Sequence, residues 1–140
     1  MSAYYAIQSK LSGHVIDIEG ASKEAGAGLD AFTQKSTEND NQLWAFEPDP
    51  SGSGYFFIQS KLSGHVIDIE GASKEAGAGL DAFTQRVTEN DNQLWAFESD
   101  PAGSGYFFIR SKLSGNVIDI KGASKAAGAG RCLPTEKRRL

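Results

Sequence analysis

The sequence predicts an all-β fold in which three repeated units close a barrel, and two observations support this. Tyr4, Tyr55 and Tyr106 open segments at an equal spacing of 51 residues (55 − 4 and 106 − 55), and segments 4–54 and 55–105 differ at only six positions. Each complete unit holds four short apolar segments separated by turn-forming residues, which is typical of strands. Three units are too few for a propeller and fit a three-fold closed barrel, whose closure leaves no exposed edge.

The four predicted strands follow one another at short intervals along the second unit. They cover residues 55–60, 65–69, 80–85 and 93–97. Three glycines between the second and third strands disfavour a helix there. Trp95 on the fourth strand, like Trp44 in the first unit, is predicted to lie in the core. By its length the chain is one domain, expected over 1–140 with repeats 4–54, 55–105 and 106–140.

Side-chain alternation assigns an inner and an outer face to the second and third strands. In unit 2 the second strand reads Val-Ile-Asp-Ile and places Asp68 opposite to the isoleucine face. The third strand reads Leu-Asp-Ala-Phe and places Asp81 and Phe83 opposite to its leucine and alanine. With the aliphatic side chains inward, two carboxylates and one phenyl ring of each complete unit are expected to face solvent together. In unit 1 these are Asp17, Asp30 and Phe32.

The third unit departs from the other two after Gly130. Segment 106–130 differs from 55–79 at four positions, whereas the tail 131–140 contains no Gln-x-Trp and resembles nothing upstream. The third repeat is therefore predicted to be C-terminally truncated or altered. Asp119 persists, but alignment by position puts Arg131 where Leu80 stands and Pro134 where Phe83 stands, so no third site is expected.

Several interpretations of the tail 131–140 remain open. A short basic terminus is typically solvated and mobile. Alternatively, the tail pairs as a substitute strand with Leu133 inward, or a neighbouring chain closes the barrel, since near-identical repeats exchange elements readily. A shifted reading frame is a further alternative, which the nucleotide sequence would test.

Composition argues against several functional classes. The net charge of −4 argues against a nucleic-acid partner, which requires a basic face. Cys132 is the only cysteine, so no disulfide forms within the chain. No apolar run is long enough to predict membrane insertion. No signal peptide is visible, so a cytoplasmic location, or secretion without a visible signal, is expected. His14 and His65 stand alone in their units, and no metal or cofactor is expected.

The fourth strands carry the motif that connects this chain to a known family. Gln42-Leu43-Trp44 recurs as Gln93-Leu94-Trp95, and each is preceded in its unit by a Val-Ile-Asp-Ile strand. A Gln-x-Trp that closes a repeated four-strand unit resembles the ricin-B-type lectin family. The resemblance covers residues 4–130 and implies a β-trefoil of three units.

The resemblance also implies a sugar pocket in each complete unit. An aspartate of the second strand would accept hydrogen bonds from vicinal hydroxyls, and an aromatic residue of the third strand would stack on the sugar ring. The residue two positions before the aromatic one and the asparagine before the motif would add polar contacts, assisted by the glutamine. The matching residues are Asp17, Asp30, Phe32, Asn41 and Gln42 in unit 1, and Asp68, Asp81, Phe83, Asn92 and Gln93 in unit 2.

The residues themselves suit this chemistry, although each has a plainer interpretation. A carboxylate makes strong hydrogen bonds with hydroxyls, and an aromatic face covers apolar C–H groups. Yet Asp17 fits an ordinary strand residue, Phe32 ordinary apolar surface, and Asn41 a turn former, while Gln42 suits the role of satisfying buried backbone groups. A glycosidase pair would need a carboxyl of raised pKa in an apolar cleft, and no enzyme activity is expected.

The leading hypothesis is a lectin with two near-equivalent shallow sites for glycans of the galactose or N-acetylgalactosamine type, a preference taken from the family. Weak single sites would gain avidity from their number and from a homodimer. The alternatives are a protein-binding trefoil such as a protease inhibitor, or a structural or engineered repeat protein.

Overall fold

The computed structural model describes residues 3–128 and 132–135, and these residues form an all-β molecule. Most strands are only four or five residues long, because glycine-rich and polar turns interrupt them. The strands are β1 (Val15–Ile18), β2 (Ala27–Phe32), β3 (Trp44–Pro48), β4 (Phe56–Ser60), β5 (Val66–Ile69), β6 (Leu80–Phe83), β7 (Trp95–Ser99), β8 (Phe107–Ser111), β9 (Val117–Ile120) and β10 (Cys132–Thr135).

Strand pairing alternates between hairpins inside a unit and pairs that join neighbouring units. Within each unit the second and third strands form an antiparallel hairpin: β1 with β2, β5 with β6 and β9 with β10. The fourth strand of one unit pairs with the first strand of the next, as β3 with β4 and β7 with β8. Strand β2 also pairs with β6, and β10 contacts both. The described strands therefore belong to one connected sheet.

The core confirms the predicted inner faces. One cluster gathers the isoleucines of β1 and β5, Leu29 of β2, Leu80 of β6, and both tryptophans. Trp44 and Trp95 are fully buried. Their indole nitrogens donate hydrogen bonds to the carbonyl oxygens of Ile16 (3.2 Å) and Ile67 (3.1 Å). A buried indole requires such a partner, so each tryptophan locks the fourth strand of its unit onto the second.

The fourth strands begin later than the sequence predicts. Strand β7 starts at Trp95, and the two residues before Leu94 lie in the 3-10 turn Asp91–Gln93. Unit 1 has the same arrangement, with the turn Asp40–Gln42 ahead of β3. The asparagine and glutamine of each motif therefore stand on a turn rather than on the strand.

The predicted register of the third repeat is wrong by one residue. Cys132 pairs with Ile120, and Leu133 pairs with Asp119, so Cys132 takes the place that Leu80 has opposite Ile69. The cause is the loop length, which is ten residues between β5 and β6 (70–79) and eleven between β9 and β10 (121–131). Thr135, not Pro134, occupies the register position of Phe83.

The tail is a strand over part of its length. Residues 132–135 form β10, which agrees with the substitute-strand interpretation and corrects the expectation of a solvated end for these four residues. The side chain of Leu133 and residues 129–131 and 136–140 lie outside what the structure describes, so the inward position expected for Leu133 stays a prediction.

The first strand is irregular in unit 1. Residues 5–9 make only the bridges Tyr5 to Trp44 and Gln8 to Val15, whereas the equivalent residues 56–60 and 107–111 are full strands. Those two strands each pair with the fourth strand of a preceding unit, which unit 1 lacks among the described residues. No helix in the described part of the chain is long and apolar enough to span a membrane.

Candidate functional site

Two carboxylates face each other in each complete unit. Asp17 on β1 is the direct cross-strand partner of Asp30 on β2, and Asp68 on β5 is the partner of Asp81 on β6. Directly opposed side chains in an antiparallel pair have β-carbons about 5 Å apart. Because the isoleucines of the same strands fill the core, both pairs lie on the opposite face, as the alternation predicts.

These carboxylates are buried, which corrects the predicted solvent exposure. Asp17 and Asp68 are 4% and 3% exposed, and their partners on the third strand are each 7% exposed. The alternation rule places a side chain on one face of a sheet but does not say what covers that face. Here the 3-10 turns Asp40–Gln42 and Asp91–Gln93 cover it.

The glutamine of each motif holds the buried aspartate. In unit 1, Gln42 Nε2 donates to Asp17 Oδ2 (2.9 Å) and to the carbonyl of Thr33 (2.9 Å), and Gln42 Oε1 accepts from the backbone N–H of Lys35 (2.9 Å). Gln93 repeats all three contacts in unit 2. Both glutamines are essentially inaccessible, and these contacts fix the orientation of the carboxylate.

The asparagine before each glutamine is also tied into the site. Asn41 Nδ2 donates to the carbonyl of Ile18 (3.1 Å) and, at 3.3 Å, to Asp17 Oδ2, while its Oδ1 accepts from Lys35 Nζ (3.3 Å). In unit 2 the lysine is replaced by Arg86, whose guanidinium carbon lies 6.0 Å from the centroid of the Phe83 ring. Among the described residues, Asn92 Oδ1 consequently has no hydrogen-bond partner.

Lys35 and Arg86 are site residues that the sequence analysis missed. They occupy one of the six positions that differ between units 1 and 2, and this difference was the available signal. Both belong to the segment after the third strand, and in unit 1 the lysine side chain reaches the asparagine.

The aromatic residues form the accessible rim. Phe32 is 37% exposed and Phe83 is half-buried. The loop of the third unit backs the first ring, since the N–H of Gly128 donates to the carbonyl of Ala31 (2.9 Å). A β-carbon at Gly128 would lie 3.2 Å from two carbons of the Phe32 ring. The rim of unit 1 is thus built by two units.

Burial and mutual repulsion alter the ionisation of the carboxylate pair in unit 2. Burial, reinforced by the charge of Asp68 and a hydrogen bond to it, raises the pKa of Asp81 to about 7. Burial also raises the pKa of Asp68, an effect opposed by the hydrogen bond from Gln93. Two adjacent buried carboxyls cannot both ionise easily, so the pair retains a proton close to neutral pH and offers both a donor and acceptors.

The third unit does not reproduce this arrangement in its described part. Leu133, not an aspartate, pairs with Asp119, and Asp119 Oδ1 accepts a hydrogen bond from the N–H of Ile120 (2.8 Å). Within the described ranges no three side chains of His, Cys, Asp or Glu gather where a metal ion would be held. His14 lines a cavity between the first and third units.

Comparisons with known proteins match the whole repeat region. The profile of the ricin-type β-trefoil lectin domain-like family matches residues 1–83 and 40–131. Mucoricin of Rhizopus delemar is 35% identical over 108 residues, which are 77% of this chain and 67% of mucoricin.

Solved structures share the same architecture. ThreeFoil, a designed 3-fold symmetric protein, superposes with a TM-score of 0.86 at 28% identity, covering 96% of this chain and 90% of its own. The C-half of the earthworm R-type lectin superposes with a TM-score of 0.70 at 24% identity, covering 96% and 89%. The fold, the twice-repeated Gln-x-Trp turn and the family profile agree, and the chain belongs to the ricin-type β-trefoil lectin-like family.

Proposed function

We propose that the chain is a carbohydrate-binding lectin domain with two near-equivalent shallow sites, one in each complete unit. The observation that carries the proposal is an aspartate held by a buried amide on the same hairpin as a partly exposed ring: Asp68 of β5, held by Gln93, and Phe83 of β6. A clamped carboxylate pays little conformational entropy on accepting hydrogen bonds from vicinal hydroxyls. The ring covers the C–H face of a sugar.

The neighbouring polar groups suit a hydroxyl-rich ligand. Asn92 Oδ1 is a buried acceptor without a donor among the described residues, and such a group gains free energy when a ligand supplies one. The proton held by Asp68 and Asp81 lets this pair donate as well as accept. Sugars present hydroxyls that do both, so they match this mixture better than an anion or an apolar ligand.

Galactose and N-acetylgalactosamine are the proposed sugars. This preference rests on the family and not on a contact in the chain. The earthworm lectin with the same fold was crystallised in complex with GalNAc. Two weak sites on one chain would act together on a multivalent glycan, and a homodimer would add to this avidity.

A glycosidase is the second candidate, because Asp81 has the raised pKa of a catalytic acid. The geometry disfavours it. Glycosidase carboxyls stand roughly 5–9.5 Å apart so that the anomeric carbon fits between them. Asp68 and Asp81 are direct cross-strand partners and both are almost fully buried, which leaves no space for a sugar ring between them. The proposal therefore assigns binding and no reaction.

A glycan array followed by calorimetric titration with galactose tests the proposal on the full chain. We expect Asp17→Asn and Asp68→Asn each to remove one of two binding sites. Loss of a charge-assisted hydrogen bond weakens the altered site by roughly tenfold to a hundredfold. The double variant should lose binding at both sites.

Asp119→Asn is the matched control, because it makes the same change in the third unit and should leave the stoichiometry at two. Thermal unfolding of each variant shows that it remains folded. A chain that binds no glycan above background, or a folded double variant that binds normally, would overturn the proposal.

A further inference from the structure

The loop 121–128 of unit 3 reaches the candidate site of unit 1. The N–H of Gly128 donates to the carbonyl of Ala31 on β2 (2.9 Å). A β-carbon at Gly128 would lie 3.2 Å from two carbons of the Phe32 ring and 3.9 Å from Asp30 Oδ2. The end of this loop therefore forms one wall of the site in unit 1.

The loop 19–26 of unit 1 borders the candidate site of unit 2 through the equivalent backbone contact. The N–H of Gly26 donates to the carbonyl of Ala82 on β6 (2.8 Å), and the next residue, Ala27, pairs with Ala82 in the sheet. A β-carbon at Gly26 would meet no atom within 4 Å, so at this point the loop does not press on a ring. Each candidate site is thus bordered by a loop from another unit.

The two bordering loops have the same backbone conformation. Each begins with a 3-10 turn whose central glycine has a φ of 65° and a ψ of 15°. The next serine hydroxyl accepts a hydrogen bond from the N–H two residues later, Ser22 from Glu24 (3.1 Å) and Ser124 from Ala126 (3.2 Å). A shared backbone presents equivalent side chains in the same directions, so the residue types alone distinguish the two loops.

The two loops differ in charge. Loop 19–26 carries two glutamates and one lysine, a net charge of −1, whereas loop 121–128 carries two lysines and no acidic residue, a net charge of +2. Lys121 and Ala126 account for the difference, because units 1 and 2 have glutamate at both positions. The site of unit 1 is therefore bordered by a basic loop and the site of unit 2 by an acidic one.

Lys125 is the lysine of the basic loop that stands nearer along the chain to the Phe32 contact. It precedes Gly128 by three residues, so their α-carbons are at most about 11 Å apart. Its side chain is exposed, and in the described ranges it forms no ion pair. A charge acts over about 8 Å at physiological ionic strength. The ammonium group can therefore act on a ligand that extends past the ring.

We propose that the site of unit 1 selects galactosides with an anionic group on the exocyclic carbon C6, and that the site of unit 2 does not. This inference rests on the proposed function. A sulfate or carboxylate at C6 leaves the vicinal ring hydroxyls free to bond Asp17. With the sugar ring stacked on Phe32, the anionic group extends towards Lys125. At the site of unit 2 the same group meets Glu24, which opposes its charge.

Calorimetric titration of single-site variants of the full chain tests the proposal. Asp68→Asn retains the site of unit 1, and Asp17→Asn retains the site of unit 2. The probes are galactose, galactose 6-sulfate and galacturonic acid. We expect the site of unit 1 to bind both anionic probes about twofold to fivefold more tightly than galactose, as for an exposed ion pair. The site of unit 2 should show no such preference. In 1 M salt, where screening reduces the range to about 3 Å, the preference should disappear.

Exchange of loop residues between the units locates the source of the preference. Ala126→Glu gives the basic loop the glutamate of unit 1 and should remove most of the preference at the site of unit 1, as should Lys125→Ala. Glu24→Ala should shift the site of unit 2 towards the anionic probes. Lys74→Ala is the matched control and should change neither site, because by the repeat Lys74 faces unit 3. All four positions are exposed, so the fold should persist.

The outcomes separate this inference from the proposed function. If neither single-site variant binds galactose or the anionic probes, the proposed function fails and this inference fails with it. If galactose binds at both sites and the anionic probes bind no more tightly at the site of unit 1, only this inference is wrong. A preference that survives both Lys125→Ala and Ala126→Glu would also overturn it, because the preference would then come from another cation such as Lys35.

Discussion

Gln93 donates a 2.8 Å hydrogen bond from Nε2 to Oδ2 of Asp68, and neither side chain is appreciably exposed. The same pair recurs in unit 1 between Gln42 and Asp17 at 2.9 Å. The conspicuous motif residue of the sequence therefore acts by holding a carboxylate of the site.

Gln93→Ala should destabilise the chain by about 2 kcal/mol or more, because it leaves buried Asp68, the carbonyl of Thr84 and the N–H of Arg86 without their partner. Urea unfolding measures this loss. Gln59→Ala is the control, since it removes an exposed hydrogen bond to the carbonyl of Gly64 and should cost well under 1 kcal/mol. Equal losses for the two variants would contradict a clamping role.

The raised pKa of Asp81 predicts a pH-dependent stability. The folded chain keeps a proton on this carboxyl up to about pH 7, whereas an unfolded aspartate loses it near pH 4. The folded state thus binds more protons between these values, and this contribution to stability is lost as the pH rises through 7. The contribution of Asp81 should therefore lower Tm at pH 8 relative to pH 5.

Asp81→Asn should reduce this decrease in Tm, because an amide neither titrates nor repels Asp68. Glu75→Gln changes an exposed carboxylate of the neighbouring loop and should leave the pH profile unaltered. If Asp81→Asn leaves the difference between pH 5 and pH 8 at its original size, Asp81 is not the group responsible.

The lysine and arginine that distinguish the two sites should differ in their effect on stability. Arg86→Lys lets unit 2 form the contact that Lys35 makes with Asn41 and satisfies Asn92 Oδ1. We expect a gain of up to about 1 kcal/mol for this partly buried hydrogen bond. Lys35→Arg should lose a similar amount. Denaturant midpoints measure both, with Lys74→Arg in an exposed loop as the control; opposite signs would refute the prediction.

Gly128 and Gly77 occupy equivalent loop positions. Alanine substitutions at the two therefore separate the cost of a side-chain contact from the cost of backbone strain. Both have positive φ, +77° and +91°, so alanine is strained at either position, by roughly 1 kcal/mol. Only at Gly128 would the added β-carbon also press on Phe32, at 3.2 Å. Gly128→Ala should therefore lower Tm more than Gly77→Ala, and calorimetry compares them. Equal decreases in Tm would contradict this prediction, because they would show that the Phe32 ring moves aside without a measurable cost in stability.

Repeat matching and side-chain alternation correctly predicted the features that depend only on residues close together in the sequence. The repeat and the alternation within Val-Ile-Asp-Ile placed Asp17 opposite the core, and the structure pairs it with Asp30. The burial of that pair escaped prediction because it depends on a turn more than twenty residues away that folds over it. The register of β10 was not predicted because the loop before it is one residue longer than the equivalent loop of unit 2. The irregularity of segment 5–9 was not predicted because its pairing depends on a neighbouring unit.

Because each fourth strand pairs with the first strand of the following unit, the units are not independent modules. Strand β3 carries Trp44, which anchors unit 1, and the same strand supplies the edge along which Phe56–Ser60 of unit 2 is ordered. A substitution at Trp44 that destabilises β3 would therefore also destabilise unit 2, because Phe56–Ser60 would lose the strand with which it pairs. Duplication of the sequence therefore made each later unit depend on the unit before it.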